Sequence, residues 1–169
     1  TMTVFVTGDY EEKKTVSFSP DNLVHGGVTV EFDGIRAGSK LRVVCLPEGA
    51  SSDSCLIGVS DEVTIIGGQE NAASVKLANV YLQVVSNSGK LYLQDTYIEI
   101  PPTRKDLPSC TFSWYYKDSS NTEHVMTTSE SECIFTNEEG DLEYLTTGTF
   151  KCTIYCNGTR IITLRREVA

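Results

Sequence analysis

Residues 150–164 read FKCTIYCNGTRIITL and contain the two closest thiols of the chain, Cys152 and Cys156. Thiols can close disulfides, ligate a metal or act as nucleophiles, and spacing limits which of these applies. On a β-strand, side chains two and four residues apart share a face. Cys152 and Cys156 therefore lie on one side with Phe150 and Ile154, which mark that side as the core. At strand rise they stand about 13 Å apart, too far to share one zinc ion. Six cysteines are present, Cys45, Cys55, Cys110, Cys133, Cys152 and Cys156. Two readings stay open for them: small buried apolar residues, since free cysteine is among the most buried types, or disulfide partners. Cys45 and Cys55 bracket LPEGASSDS as a closed loop would, which makes them the expected bridge if the chain is oxidised.

Other groups are less promising. His25 and His124 are isolated, with no Cys or Asp at the spacing of a nucleophile or ligand set. The acidic turns Asn137-Glu138-Glu139-Gly140-Asp141 and Asp9-Tyr10-Glu11-Glu12 could offer oxygens to calcium, but neither has the spacing of a known calcium loop. The expectation is no catalytic residue, no metal and no cofactor. Asn157-Gly158-Thr159 is a glycosylation triplet that is also the strongest short hairpin signal.

The formal charge of −9 comes with scattered Lys and Arg, so no basic stripe is available for phosphates. Nucleic acid and anionic membrane surfaces are excluded as expected partners on that ground. No run approaches the roughly 20 apolar residues of a membrane span, so membrane insertion is not expected. The start, TMTVFVTG, lacks a cationic region followed by an apolar stretch. That leaves open a natural start at Met2 or a mature chain after processing.

The elements that position these residues read as β throughout. Val28, Val30 and Phe32 alternate with polar residues, as do Leu41, Val43 and Cys45. Further strands fit 4–6, 15–18, 63–66, 75–85 and 91–100, separated by Gly- and Ser-rich turns. Residues 142–145 make at most one helical turn. With 169 residues and 40% hydrophobic composition, the chain has material for two small sandwiches. Residues 101–108 look like a linker, but a cut there leaves a thin C-terminal unit. The preferred division is therefore a β-sandwich over 1–86 and a second domain over 87–169.

In the second half, Cys110, Phe112, Trp114 and Tyr116 share one strand face, and Leu142-x-x-Leu145-x-x-Gly148-x-Phe150-x-Cys152 follows. This stretch, about 88–169, resembles the immunoglobulin-like fold. Trp114 looks like its buried strand-C tryptophan, and Gly148-x-Phe150-x-Cys152 looks like the start of strand F. Phe150 stands where the corner tyrosine usually is. No cysteine precedes Trp114 at the strand-B distance, so the resemblance does not carry over the inter-sheet disulfide. TFSWYYKD and GTFKCTIYCNGT are also similar to immunoglobulin-like domains of phage structural and bacterial surface proteins.

What the resemblance implies is an all-β, non-enzymatic structural or surface-binding component of a phage or other virion, in its tail, fibre or capsid decoration. The implied partners are a protein, a host-surface glycan or further copies in the virion, and the implied location is the virion surface or the extracellular space. The alternative is a secreted or cell-surface receptor or adhesin held by disulfides. An enzyme with an accessory sandwich is a third and least supported class. Counting outward from a turn at Asn157-Gly158, Ile162 and Leu164 are expected on the face opposite Ile154. With Tyr115 on the neighbouring strand they form the expected interface.

Overall fold

In the computed structural model, the residues described are 1–17, 29–75, 77–85, 90–95, 109–117, 121–129, 132–134 and 148–168. Among them the protein is all-β, with twelve strands and no helix. The strands are β1 (Met2–Gly8), β2 (Glu12–Val16), β3 (Lys40–Pro47), β4 (Ser54–Val59), β5 (Val63–Thr64) and β6 (Ala78–Val85). The remainder are β7 (Lys90–Asp95), β8 (Cys110–Lys117), β9 (Glu123–Thr128), β10 (Glu132–Ile134), β11 (Gly148–Cys156) and β12 (Thr159–Val168). They form two antiparallel sheets. One has the order β10-β7-β6-β4-β3-β1-β2, with β5 on β3, and the other has the order β12-β11-β8-β9.

The large sheet turns on β4. Residues 54–57 of that strand pair with β6, whereas Val59 and Gly58 pair with Val44 and Cys45 of β3. One half of the sheet, β4-β6-β7-β10, shares a core with β8, β11 and β12. Ile57, Val80, Leu82, Leu91 and Leu93 lie opposite Trp114, Phe150, Cys152, Ile154 and Leu164 in that core. Strict alternation produces it: every second residue of β8 from Cys110 to Tyr116 is buried, and so is every second residue of β11 from Phe150 to Cys156. Tyr116 and Phe150 stack with centroids 4.9 Å apart. The expected division between 86 and 87 falls between β6 and β7, which are hydrogen-bonded neighbours, and the core draws on residues from both sides of it.

Backbone conformation at its two ends explains the shape of β11. Gly148 has φ 140° and a Cβ there would lie 2.2 Å from the Lys117 carbonyl oxygen, so only glycine starts this strand beside β8. At its other end Asn157 and Gly158 have φ 48° and 80°, the left-handed pair that a type I′ turn requires. The expected hairpin is present.

Elsewhere the expectations need adjusting. Thr29–Phe32 lie outside any ladder, against the expected strand at 28–32. Glu31 accepts from Lys14 Nζ through its carbonyl, and the same ammonium lies 4.8 Å from the Phe32 ring centroid, so Lys14 of β2 fastens this stretch. β9 was not expected, because its residues are mostly exposed and carry no apolar alternation. Residues 96–108 and 135–147, including the proline-rich stretch, the acidic turn at 137–141 and Leu142–Leu145, fall outside the described residues, as do Phe18, His25, Val28 and 86–89.

Candidate functional site: a thiol pair where the two sheets meet

Beyond the turn, β12 does not keep the register that simple counting gives. Cys156 faces Thr159 and Tyr155 faces Arg160, but Ile154 faces Ile162, so a bulge at Ile161 inserts one extra residue. A bulge shifts the alternation by one position and carries the following side chains to the other face. Leu164 is consequently fully buried opposite Cys152, and Ile162 packs against the core rather than away from it. This corrects the expected interface. Tyr115 does lie on the outer face, where its hydroxyl donates to Glu123 Oε1 at 2.9 Å and Lys151 Nζ sits 4.9 Å from its ring centroid. The three residues do not form one surface.

All six cysteines are free thiols. The expected partners Cys45 and Cys55 are not brought together. Cys45 lines a cleft on one face of the large sheet, whereas Cys55 belongs to the core on the other. Burial raises their pKa values to about 11 and about 12, and that of Cys133 to about 12. Cys152 is raised well above the ordinary thiol range, first by burial and then by the repulsion of Cys55 and Cys133. A thiol held protonated in this way is a poor nucleophile and a poor ligand.

Cys110 and Cys156 differ from the rest. They are direct cross-strand partners on β8 and β11, both buried. Just beyond them the Asn157 N–H donates to the Ser109 carbonyl at 3.4 Å, which makes Cys110 and Cys156 a non-hydrogen-bonded pair, the closer of the two antiparallel arrangements. The large sheet closes over them. Thr7 of β1 is fully buried and its hydroxyl donates to Cys156 Sγ at 3.7 Å, while Asn157 Nδ2 donates to the Thr7 carbonyl and hydroxyl oxygens, each at 3.4 Å. Arg42 faces Thr7 across β1 and β3, donates from Nη1 to the Ser60 carbonyl at 3.0 Å, and keeps a buried Nε without a partner among the described residues.

This arrangement splits the two protons. A hydrogen bond from Cys110, one from Thr7 and the Arg42 charge hold the Cys156 thiol below its ordinary value, against the opposing effect of burial. The hydrogen bond it donates, with burial, pushes Cys110 far up. The pair therefore gives up its first proton early, at Cys156, and its second very late. Alternation placed both thiols inward, but nothing in the sequence signalled Thr7 or Arg42, which come from the other sheet.

Two further features went unread in the sequence. A cleft of about 780 Å³ lies over the β1–β3 face, walled by Met2, Val4, Val6, Leu41, Val43 and the 29–35 stretch. On β9, Val125 and Met126 are exposed at 64% and 38%. Of the remaining candidates, His124 stacks on Tyr116 at 5.4 Å, and Asp9 Oδ2 accepts from the Lys40 N–H at 2.8 Å at the end of the β1–β3 pairing. Among the described residues no cluster of His, Cys, Asp or Glu could hold a metal ion, and no helix is long and apolar enough to cross a membrane.

No family model, curated protein or solved structure matches this chain.

Proposed function

We propose that this protein is a non-enzymatic structural or surface-binding component built on an immunoglobulin-like sandwich, of the kind that decorates a virion. The observation that carries the reading is the strand order around Trp114. β6-β7-β10 lies across the core from β12-β11-β8-β9, the order expected for strands A, B and E facing G, F, C and C′. Trp114 is fully buried on the strand that would be C, with Nε1 donating to Thr128 Oγ1 at 2.9 Å. Cys152 on the strand that would be F meets aliphatic residues and thiols, with no bridge to strand B. A sandwich held by packing alone favours the virion component over the disulfide-held receptor or adhesin. Its partners in this reading are a protein, a host-surface glycan or further copies of itself.

The test is incubation of the protein with an array of host-type glycans, alongside sedimentation across a range of concentrations. The reading expects retention on unmodified glycan or concentration-dependent association. Release of sugar from the array would overturn it in favour of an enzyme. A monomer at every concentration that retains no glycan would overturn it as well.

A further inference from the structure

We infer that Cys110 and Cys156 form a peroxide-oxidisable dithiol, which closes a cross-strand disulfide at the junction of the two sheets. The register singles them out. Cys45 faces Val4 and Gly58, Cys55 faces Val80, Cys133 faces Leu91, and Cys152 faces Trp114 and Leu164. Among the described ladders, only Cys110 and Cys156 face each other. In a non-hydrogen-bonded antiparallel pair the Cα atoms stand about 4.5 Å apart. Disulfides span Cα separations of about 4.4–6.8 Å, so the bond can close with the ladder in place.

The surroundings provide the chemistry. The buried Thr7 hydroxyl and the Arg42 guanidinium, with its unpartnered Nε, both favour negative charge on the Cys156 sulfur. Cys110 keeps its proton and hydrogen-bonds to that sulfur, as a resolving thiol must before it is called on. Among the described residues, the charged and titratable groups acting on Cys156 are Cys110 from β8 and Arg42 from β3. The pair also ends the β8–β11 ladder. Ser109 and Asn157 beside it both have positive φ, at 56° and 48°, so a small oxidant needs to open only the last rung.

Hydrogen peroxide is the oxidant of matching size. The Cys156 thiolate attacks one peroxide oxygen, so that an S–O bond forms while the O–O bond breaks. The departing hydroxide takes up the proton that Cys156 had released and leaves as water. Cys156 is now a sulfenic acid, oxidised by two electrons, and the peroxide is reduced. Cys110 sulfur then attacks Cys156 sulfur. The S–S bond forms, the S–O bond breaks, and the hydroxyl leaves as water with the Cys110 proton. In sum, two thiols and one hydrogen peroxide give one disulfide and two waters.

The inference does not depend on the binding role proposed above, and its test has a separate readout. Reduced wild-type protein is treated with hydrogen peroxide, quenched, denatured and alkylated, and its peptides are mapped by mass spectrometry. The expected result is loss of two alkylatable thiols, one peptide linking Cys110 to Cys156, and full recovery with dithiothreitol. In Cys110→Ser, the expected product is a Cys156 sulfenic acid that dimedone traps. Six alkylatable thiols after peroxide, a link through any other cysteine, or Cys156 driven to sulfinic acid beside a free Cys110 would each overturn the proposal. The wild-type map decides the matter even if the variant fails to fold.

Discussion

Cys152 and Cys156 sit four residues apart on one strand and one face, both fully buried, yet their chemistry is opposite. Around Cys152 are Trp114, Leu164 and two further thiols, none able to stabilise a thiolate. One turn of alternation further on, Cys156 meets a hydroxyl, a thiol donor and a guanidinium from the other sheet. Burial alone therefore does not determine what a cysteine does. The polar groups buried with it do, because an ionised sulfur in a dry interior is tolerated only where donors and opposite charge accompany it.

The largest expected break in this comparison comes from Trp114→Ala. It removes the wall beside Cys152 and should cost about 3–5 kcal/mol through lost burial and the cavity left behind. The same cavity should let a small alkylating agent reach Cys152 in the native protein. Chemical denaturation reads the first effect and native-state alkylation the second. A cost below about 1 kcal/mol would mean that the indole is not the core anchor.

Gly148→Ala acts at the opposite end of β11. The left-handed backbone alone should cost about 1–3 kcal/mol, and the close Lys117 carbonyl adds to it. Thermal unfolding should show the loss, while Cys156 keeps its lowered titration. Gly158→Val works next to Cys156 and should cost about 1–2 kcal/mol, since a β-branched residue resists positive φ. It should loosen the Asn157 contact to Thr7 and raise the Cys156 pKa, with Cys152 untouched. An unchanged melting temperature would contradict the type I′ turn.

Arg42→Gln has the smallest expected effect on stability and the most selective one on the comparison. Losing the charge should move the first deprotonation of the Cys110–Cys156 pair to higher pH and leave the other four thiols as they are. The sign follows from the charge, because a cation favours the thiolate and its removal favours the thiol. Titration of the variant beside the wild type checks this.

Much of the frame was legible in the sequence. Period-two alternation located β8 and β11, a lone Trp among aromatic residues marked the core, and Asn-Gly marked the turn. What failed were features that depend on partners distant in the chain. The bulge at Ile161 hides in Ile161-Ile162, where either residue can face inward and only the β11 pairing chooses between them. Cys45 and Cys55 looked like a closed loop because they are near in sequence, but β3 and β4 present them to opposite faces. The Thr7 hydroxyl that donates to Cys156 and the Arg42 charge that acts on it lie more than a hundred residues upstream, and no local pattern could nominate them.

The most direct test of the split between the two thiols is a pH titration of cysteine 13Cβ chemical shifts, which reports ionisation without needing reagent access. Cys156 should ionise below the ordinary thiol value of about 8.5, with Cys110 and Cys152 still protonated at that point. A Cys156 that remains a thiol above that value, or a Cys152 that ionises alongside it, would contradict the account.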